Sequence, residues 1–300
     1  MNMRILVTGR SGQLARALAE VSLPPGWRMS ALGRREMDIT VPDEVRKGLD
    51  RVMPDIVVNT AAWTDVEKSE AEEERALALN RDGPAYLAEA CRQLEIPLIH
   101  ISTDYVFDGR KGVPYTENDT PRPLNAYGRS KLAGERAVME IWERSIILRT
   151  AWLFGPHGRN FLPRILKLAR EREMLSVVDD QRGSPTCAPY LAEGIIAMIR
   201  KMAKENGAPG KFQGIFHAAG DGEATWHDLA AEVLRVARQA DMPLVARLVP
   251  VRTEERPVVA RRPADSRLDC TRLREVFGLR LPLWRRGVAV SVRRFSRGER

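Results

Sequence analysis

Residues that cross-link a chain, ligate metals or anchor it in a membrane are scarce in this sequence. Its 300 residues include three cysteines, Cys91, Cys187 and Cys270, which are far apart, odd in number and without CxxC spacing. That pattern excludes a disulfide framework and fits a reducing, cytoplasmic compartment. The four histidines, His100, His157, His217 and His227, lack the spacing of metal ligands, so no metal site is expected. No apolar stretch approaches the roughly 20 residues of a membrane span. The apolar run at 5–7 follows one arginine and stops at Thr8-Gly9, too short for a secretory core. No internal repeat is present.

What the chain does hold is hydrophobic residue, 44% of the total, enough for a large core in one extended domain or two intimate ones. The formal net charge of +8 and a pI near 9.7 ask for an anionic partner. Nucleic acid does not fit. The arginines are spread over many segments, and the densest pairs, Arg261-Arg262, Arg285-Arg286 and Arg293-Arg294, read as solvated faces. A small molecule carrying a diphosphate suits such a surface.

Met3-Arg4-Ile5-Leu6-Val7-Thr8 reads as a buried strand, and Gly9-Arg10-Ser11-Gly12-Gln13-Leu14-Ala15 turns it into a helix running to about Glu20. A Gly-x-x-Gly-x-x-Ala turn directly after a strand lets backbone approach a pyrophosphate and leaves helix N–H groups pointing at it. A second strand, near 28–32, leads into Gly33-Arg34-Arg35, where a dinucleotide-binding fold meets the adenosine ribose. Arg34 at that place favours the 2′-phosphate of NADPH, with NADH as the alternative donor. A helix begins at Pro42 with Thr40 as its expected cap. The apolar strand 55–59 ends in Thr60-Ala61-Ala62-Trp63-Thr64, whose small residues let a cofactor lie against the backbone. The acidic run 67–74 starts one long helix, and Asn80, late in it, reads as a local hydrogen-bonding group.

The most informative stretch follows. The run 98–102 reads as a buried strand ending at Thr103, and open α/β sheets place ligands at such strand ends. A loop then leads to a helix starting near Tyr127, which puts Tyr127 and Lys131 on one face, four residues apart. A phenol with a pKa of about 10 is a poor proton exchanger, and bringing it to about 7 takes roughly 4 kcal/mol. One ammonium about 4 Å away, at an effective dielectric near 20, supplies about that much. Tyr127 and Lys131 would then form a general acid and base, with the Thr103 hydroxyl aligning a substrate oxygen.

Strand 146–149 ends in Thr150-Ala151-Trp152-Leu153-Phe154-Gly155, another loop at the crevice. Beyond it the βαβ rhythm loosens into a helix at 161–171, a strand at 175–178, a helix at 190–204, a linker at 205–210 and a strand and turn at 214–220. A helix capped by Thr225 and another at 271–277 complete the reading. The expected fold class is α/β, with a Rossmann-type doubly wound parallel sheet over 1–150 to which 187–218 returns. A smaller C-terminal α/β substrate-binding portion would come from 151–186 and 219–300.

Five segments carry a resemblance, in chain order: Ser102-Thr103-Asp104-Tyr105-Val106-Phe107-Asp108-Gly109; Pro123-Leu124-Asn125-Ala126-Tyr127-Gly128-Arg129-Ser130-Lys131-Leu132-Ala133-Gly134-Glu135; Arg149-Thr150-Ala151-Trp152; Gly183-Ser184-Pro185-Thr186; and Arg262-Pro263 ahead of Ser266-Arg267-Leu268-Asp269. Together they make the chain resemble the extended short-chain dehydrogenase/reductase group and, within it, the dTDP-4-dehydrorhamnose reductase family, over nearly its whole length. The resemblance implies hydride transfer from NADPH to C4 of a dTDP-4-keto-6-deoxy sugar, with Tyr127 protonating the carbonyl oxygen. It implies that Lys131 lowers the Tyr127 pKa and binds the nicotinamide ribose, and that Thr103 takes the hydroxyl role. Beside Gly9 of the turn and Arg34, it places Gly12, Gln13, Leu14, Asp38, Ile39, Ala61, Ala62 and Trp63 on the cofactor. Thr103, Asp104 and Trp152 would lie on the sugar.

The same resemblance separates neighbours. Sugar-nucleotide 4,6-dehydratases carry Asp-Glu after the corresponding Thr, and Tyr105 stands here at the Glu position, so dehydration is not expected. Some members hold Mg2+ at a dimer contact through an acid of the first helix. Ala17 aligns with that acid, which argues against the metal and against that form of homodimer. Two alternatives stay open: reduction of another 4-keto-6-deoxy sugar nucleotide, and a non-catalytic NADP-binding regulatory subunit.

Overall fold

The structure is a computed structural model and describes residues 2–205, 210–256 and 258–296. The first half alternates strands and helices. They are β1 (Met3–Thr8), α1 (Gln13–Ala19), β2 (Trp27–Leu32), α2 (Pro42–Val52), β3 (Ile56–Asn59), α3 (Val66–Ala71), α4 (Glu73–Leu77), a π turn (Ala78–Asp82), α5 (Gly83–Gln93), β4 (Leu98–Thr103), a 3-10 turn (Asp104–Val106), α6 (Ala126–Ile141) and β5 (Ser145–Thr150). After β5 come β6 (Leu153–Phe154), α7 (Phe161–Glu171), β7 (Met174–Val178), β8 (Arg182–Gly183), β9 (Thr186–Cys187), α8 (Ala188–Lys204), β10 (Gly214–His217), β11 (Ala224–Thr225), α9 (Trp226–Gln239), β12 (Arg247–Val251), α10 (Thr271–Phe277) and α11 (Trp284–Ser296).

Two local expectations change. The single long helix from 67 is three pieces, because Glu72 leaves the helical region at φ −125° and ψ 44° and the π turn then inserts extra backbone. Helix α2 is entered through Val41 without a side-chain cap, since the Thr40 hydroxyl donates instead to Asp38 Oδ1 at 2.7 Å. The linker read at 205–210 lies, for 206–209, outside the described residues.

The six strands β2-β1-β3-β4-β5-β10 lie in that order, all parallel, and β10 joins the edge by pairing with β5. A parallel sheet must bury both faces, and the period-2 alternation does so. Ile5, Val7, Ile56, Val58, Ile146 and Leu148 face α1, α8 and α10, while Leu6, Val57, Leu98 and Ile147 face α2, α5 and α6. The winding reverses between β1 and β3, which opens a crevice at their C-terminal ends. A separate core gathers α7, α9, α11, β7 and β12 against Phe107, Trp152 and Phe154 at the same end of the sheet. The crevice therefore has a wall on each side.

Candidate active site

A cleft of about 610 Å³ runs along that crevice, within the size range of small-molecule sites. Its lining includes Gly12, Gln13, Leu14, Ala62, Thr103, Asp104, Tyr127, Lys131 and Trp152. Three residues before Gly12, Gly9 turns the chain with φ 75°, and a Cβ there would stand 2.9 Å from the Ala61 backbone. Only glycine lets the turn and the loop after β3 lie this close. Helix α1 starts without a side-chain cap, so its first N–H groups remain available to an anion. The buried Gln13 Oε1 and Thr150 Oγ1 have no partner within the protein.

Past Gly33 the adenosine end of the crevice is built from paired charges. Glu36 accepts the Gly33 amide at 2.7 Å and the Arg10 guanidinium at 2.5 Å. The Gly33 amide, with Arg10 adding to it, holds the Glu36 carboxyl below the usual range against some burial. Arg34 donates to Asp38 at 2.8 Å and is otherwise 86% exposed. Burial pushes the Asp38 carboxyl up, but the hydroxyl and amide of Thr40 and the Arg34 guanidinium outweigh it and hold it low. Ile39 points into the core beneath α5, where it meets Gly83. Trp63 presents backbone, and its amide and carbonyl bond to Asn80 at 2.8 and 3.0 Å.

At the other end Asn125 caps α6 through the Gly128 amide at 2.8 Å, which sets the helix start and aims Tyr127 and Lys131 at the cleft. Tyr127 meets Tyr105 edge-on, with ring centroids 5.8 Å apart. Burial pushes the Tyr127 phenol up to about 12, the Thr103 hydroxyl opposes this, and the Asp104 charge adds to it. The expected acidification of Tyr127 by Lys131 is thus absent from this geometry. Lys131 Nζ instead donates to the Ile101 carbonyl at 2.7 Å and faces His100 Nε2 at 3.4 Å. Burial lowers Lys131 to about 8, with the Glu135 charge pulling the other way. Asp104 is pushed up to about 7 by burial, although Ser266 Oγ donates to it at 2.5 Å and Thr103 Oγ1 at 3.1 Å.

The sugar side is aromatic. Trp152, held at the positive φ of 45°, stacks on Trp226 with centroids 3.7 Å apart and planes 5° from parallel. Phe161 tilts against Trp226 from the first turn of α7, and Gln181 accepts the Trp226 indole N–H at 3.2 Å.

Behind the cleft, three buried networks tie the elements together. Asn80 joins the Trp63 backbone to Ser130 Oγ at 2.9 Å, and a Cβ on Gly134 would stand 1.9 Å from the Asn80 carbonyl oxygen. Arg149 of β5 grips Glu135 of α6 at 2.9 and 2.6 Å, and Ser102 of β4 completes that carboxylate at 2.5 Å. Thr8, Asn59 and His100 form a third chain that ends at Lys131. Arg10, His100, Trp226 and Ser266 join the site without having been singled out from sequence. Ser266 sat in a motif already noted, and Arg149 was a charge ending an apolar strand, but nothing local marked Trp226.

The chain is similar to known proteins over almost its whole length. The family profile described as RmlD substrate binding domain matches residues 3–297. A dTDP-4-dehydrorhamnose reductase of Sinorhizobium fredii is 42% identical, covering 94% of each chain. The chain belongs to the dTDP-4-dehydrorhamnose reductase family. A solved reductase of this family from Bacillus anthracis, in complex with NADP, superposes with a TM-score of 0.86 at 33% identity, covering 99% of this chain and 100% of that one. A relative named dTDP-4-keto-6-deoxy-D-glucose reductase, from Streptomyces niveus, is 44% identical over 79% of both chains. Among the described residues of this member of the reductase family, no group of three or more His, Cys, Asp or Glu could hold a metal, and no helix is long and apolar enough to cross a membrane.

Proposed function

We propose that the chain reduces the 4-keto group of dTDP-4-dehydro-6-deoxy-L-mannose to give dTDP-L-rhamnose, with NADPH as the donor. The observation that carries this is one cleft in which a glycine turn, Thr103, Tyr127 and Lys131 all meet. The residues fit the cofactor: the close Gly9 approach, the uncapped α1 and the unpartnered Gln13 amide oxygen suit a pyrophosphate and ribose. Arg10 and Arg34 flank Gly33 at the end where a 2′-phosphate would lie. When bound, NADPH supplies the hydride that C4 accepts.

The chain's own groups do the rest. A Tyr127 whose pKa lies well above neutrality is fully protonated, the state a proton donor needs when the carbonyl becomes an alkoxide. Its proton passes to O4, and Thr103 Oγ1, next to it, holds that oxygen in line. Lys131, charged below about 8, would hold the nicotinamide ribose. Asp104, near 7, can donate to or accept from a sugar hydroxyl, and Trp152 supports the sugar face. The free cysteines, with Cys91 and Cys187 buried, fit a cytoplasmic enzyme of nucleotide-sugar metabolism.

A second reading keeps the chemistry and changes the sugar, favoured by the Streptomyces relative named for a D-glucose derivative. NADPH oxidation measured with both 4-keto sugars separates the two. Tyr127→Phe should lower kcat by about 100- to 10,000-fold while NADPH still binds. Unchanged turnover in that variant would remove Tyr127 from the role.

A further inference from the structure

The buried chain behind Lys131 has a fixed direction. Ala61 N, which can only donate, lies 3.2 Å from Asn59 Oδ1, and the Thr8 hydroxyl donates to the same oxygen at 2.5 Å. The amide oxygen of Asn59 is therefore at that end and its Nδ2 faces His100 Nδ1 at 2.9 Å as a donor. His100 Nδ1 must accept. Burial, and after it the Lys131 charge, keeps the imidazole neutral. A neutral ring that accepts at Nδ1 carries its proton on Nε2, and that N–H points at Lys131 Nζ, 3.4 Å away. An ammonium offers no lone pair to receive it, whereas a neutral amine does.

We propose that Asn59 and His100 are positioning residues that set the proton affinity of Lys131, by holding an N–H rather than a lone pair against its amine. The inference rests on the reductase reading for its consequence, since the charge of Lys131 governs how well it would hold the nicotinamide ribose. Other groups face Lys131 from each neighbouring element. From α6 they are Tyr127 and Glu135, the latter already held by Arg149 of β5, and from the end of β4 they are Thr103 and Asp104. Of these, the Glu135 charge acts on Lys131 and favours the ammonium. His100 opposes it from the sheet side.

Two substitutions reverse the polarity. Asn59→Asp keeps the shape, still accepts from Ala61 and Thr8, and accepts from His100 Nδ1–H, which turns Nε2 into an acceptor for Lys131. His100→Gln lets an amide oxygen face Lys131 without adding charge. The titration of Lys131 can be followed by NMR in protein labelled at lysine Cε, with its resonance identified by its loss in Lys131→Met. Expected is a midpoint higher by about one pH unit in both variants than in the natural sequence, about tenfold in proton affinity. Circular dichroism selects the variants that fold, and because Asn59→Asp also adds a charge, a shift counts for the proposal only where His100→Gln shows it. A folded variant that titrates where the natural sequence does overturns the proposal. No substrate enters this measurement, so a shifted Lys131 in a protein that turns over no 4-keto sugar would refute the reductase reading alone.

Discussion

Replacing Arg149 by methionine should be among the most damaging single changes outside the cleft. The side chains of Arg149 and Glu135 are 1% and 3% exposed, and the two hydrogen bonds between them are joined by one from Ser102. Methionine keeps much of the packing that the guanidinium makes over Phe107, 5.2 Å from its ring centre. What it removes is the counter-charge, leaving a buried carboxylate. Breaking such a pair from one side costs about 3–5 kcal/mol. With a urea slope of about 3 kcal/mol per molar, the unfolding midpoint should fall by about 1 M or somewhat more. The double variant Glu135→Leu/Arg149→Met removes both charges and leaves the Ser102 hydroxyl, in place of a buried carboxylate, as the group without its partner. It should regain at least about 2 kcal/mol of the single loss. A single loss under about 1 kcal/mol, or a double loss equal to the sum of both singles, would refute this reasoning.

Three further outcomes are expected. Asp104 has a folded-state pKa raised to about 7, so its contribution is complete below about 4 and is lost as pH rises through about 7. The urea midpoint should therefore drop between pH 5 and pH 8, and Asp104→Asn should flatten that drop; an identical slope in both proteins would contradict it. Arg10→Ala and Arg34→Ala should each weaken NADPH by about tenfold relative to NADH in calorimetric titrations, the scale of one charge-assisted contact. Equal loss for both nucleotides would place the 2′-phosphate elsewhere. Trp226→Ala removes the stacked indole beside Trp152, worth about 0.5–1.5 kcal/mol beyond area, and should raise KM for the sugar nucleotide with little change in kcat. A fall confined to kcat would assign Trp226 to the chemistry instead.

The sheet was legible because its strands are short apolar runs ending in small or polar residues, a pattern set locally. Tyr127 and Lys131 were legible because helical spacing alone puts them on one face. The acidity of Tyr127 was not, since it depends on burial and on where Lys131 points, and both come from packing across β4 and α6. Asn80 read as a local hydrogen bonder, yet its partners are 17 and 50 residues away, brought near by a π turn that no residue pattern announces. The arginines of α11 read as a solvated face, and Arg285, Arg286 and Arg293 are exposed; its other face, where Trp284, Val288 and Val292 anchor the helix in the second core, was not read from sequence. Such pairings are between distant segments, and no single window of sequence holds both partners.

The contact between Gly134 and Asn80 has a consequence for how such an enzyme can diversify. Because backbone rests on backbone there, and the Asn80 side chain then bonds the Trp63 backbone and Ser130, the spacing between the loop carrying Ala62 and the helix carrying Tyr127 is gauged through one residue and not by apolar filling. The wall bearing Trp152 and Trp226 belongs to a different core. Changes that reshape the sugar pocket can accumulate on that wall without disturbing the distance over which hydride and proton must act together, so the range of substrates can drift while the reaction stays the same.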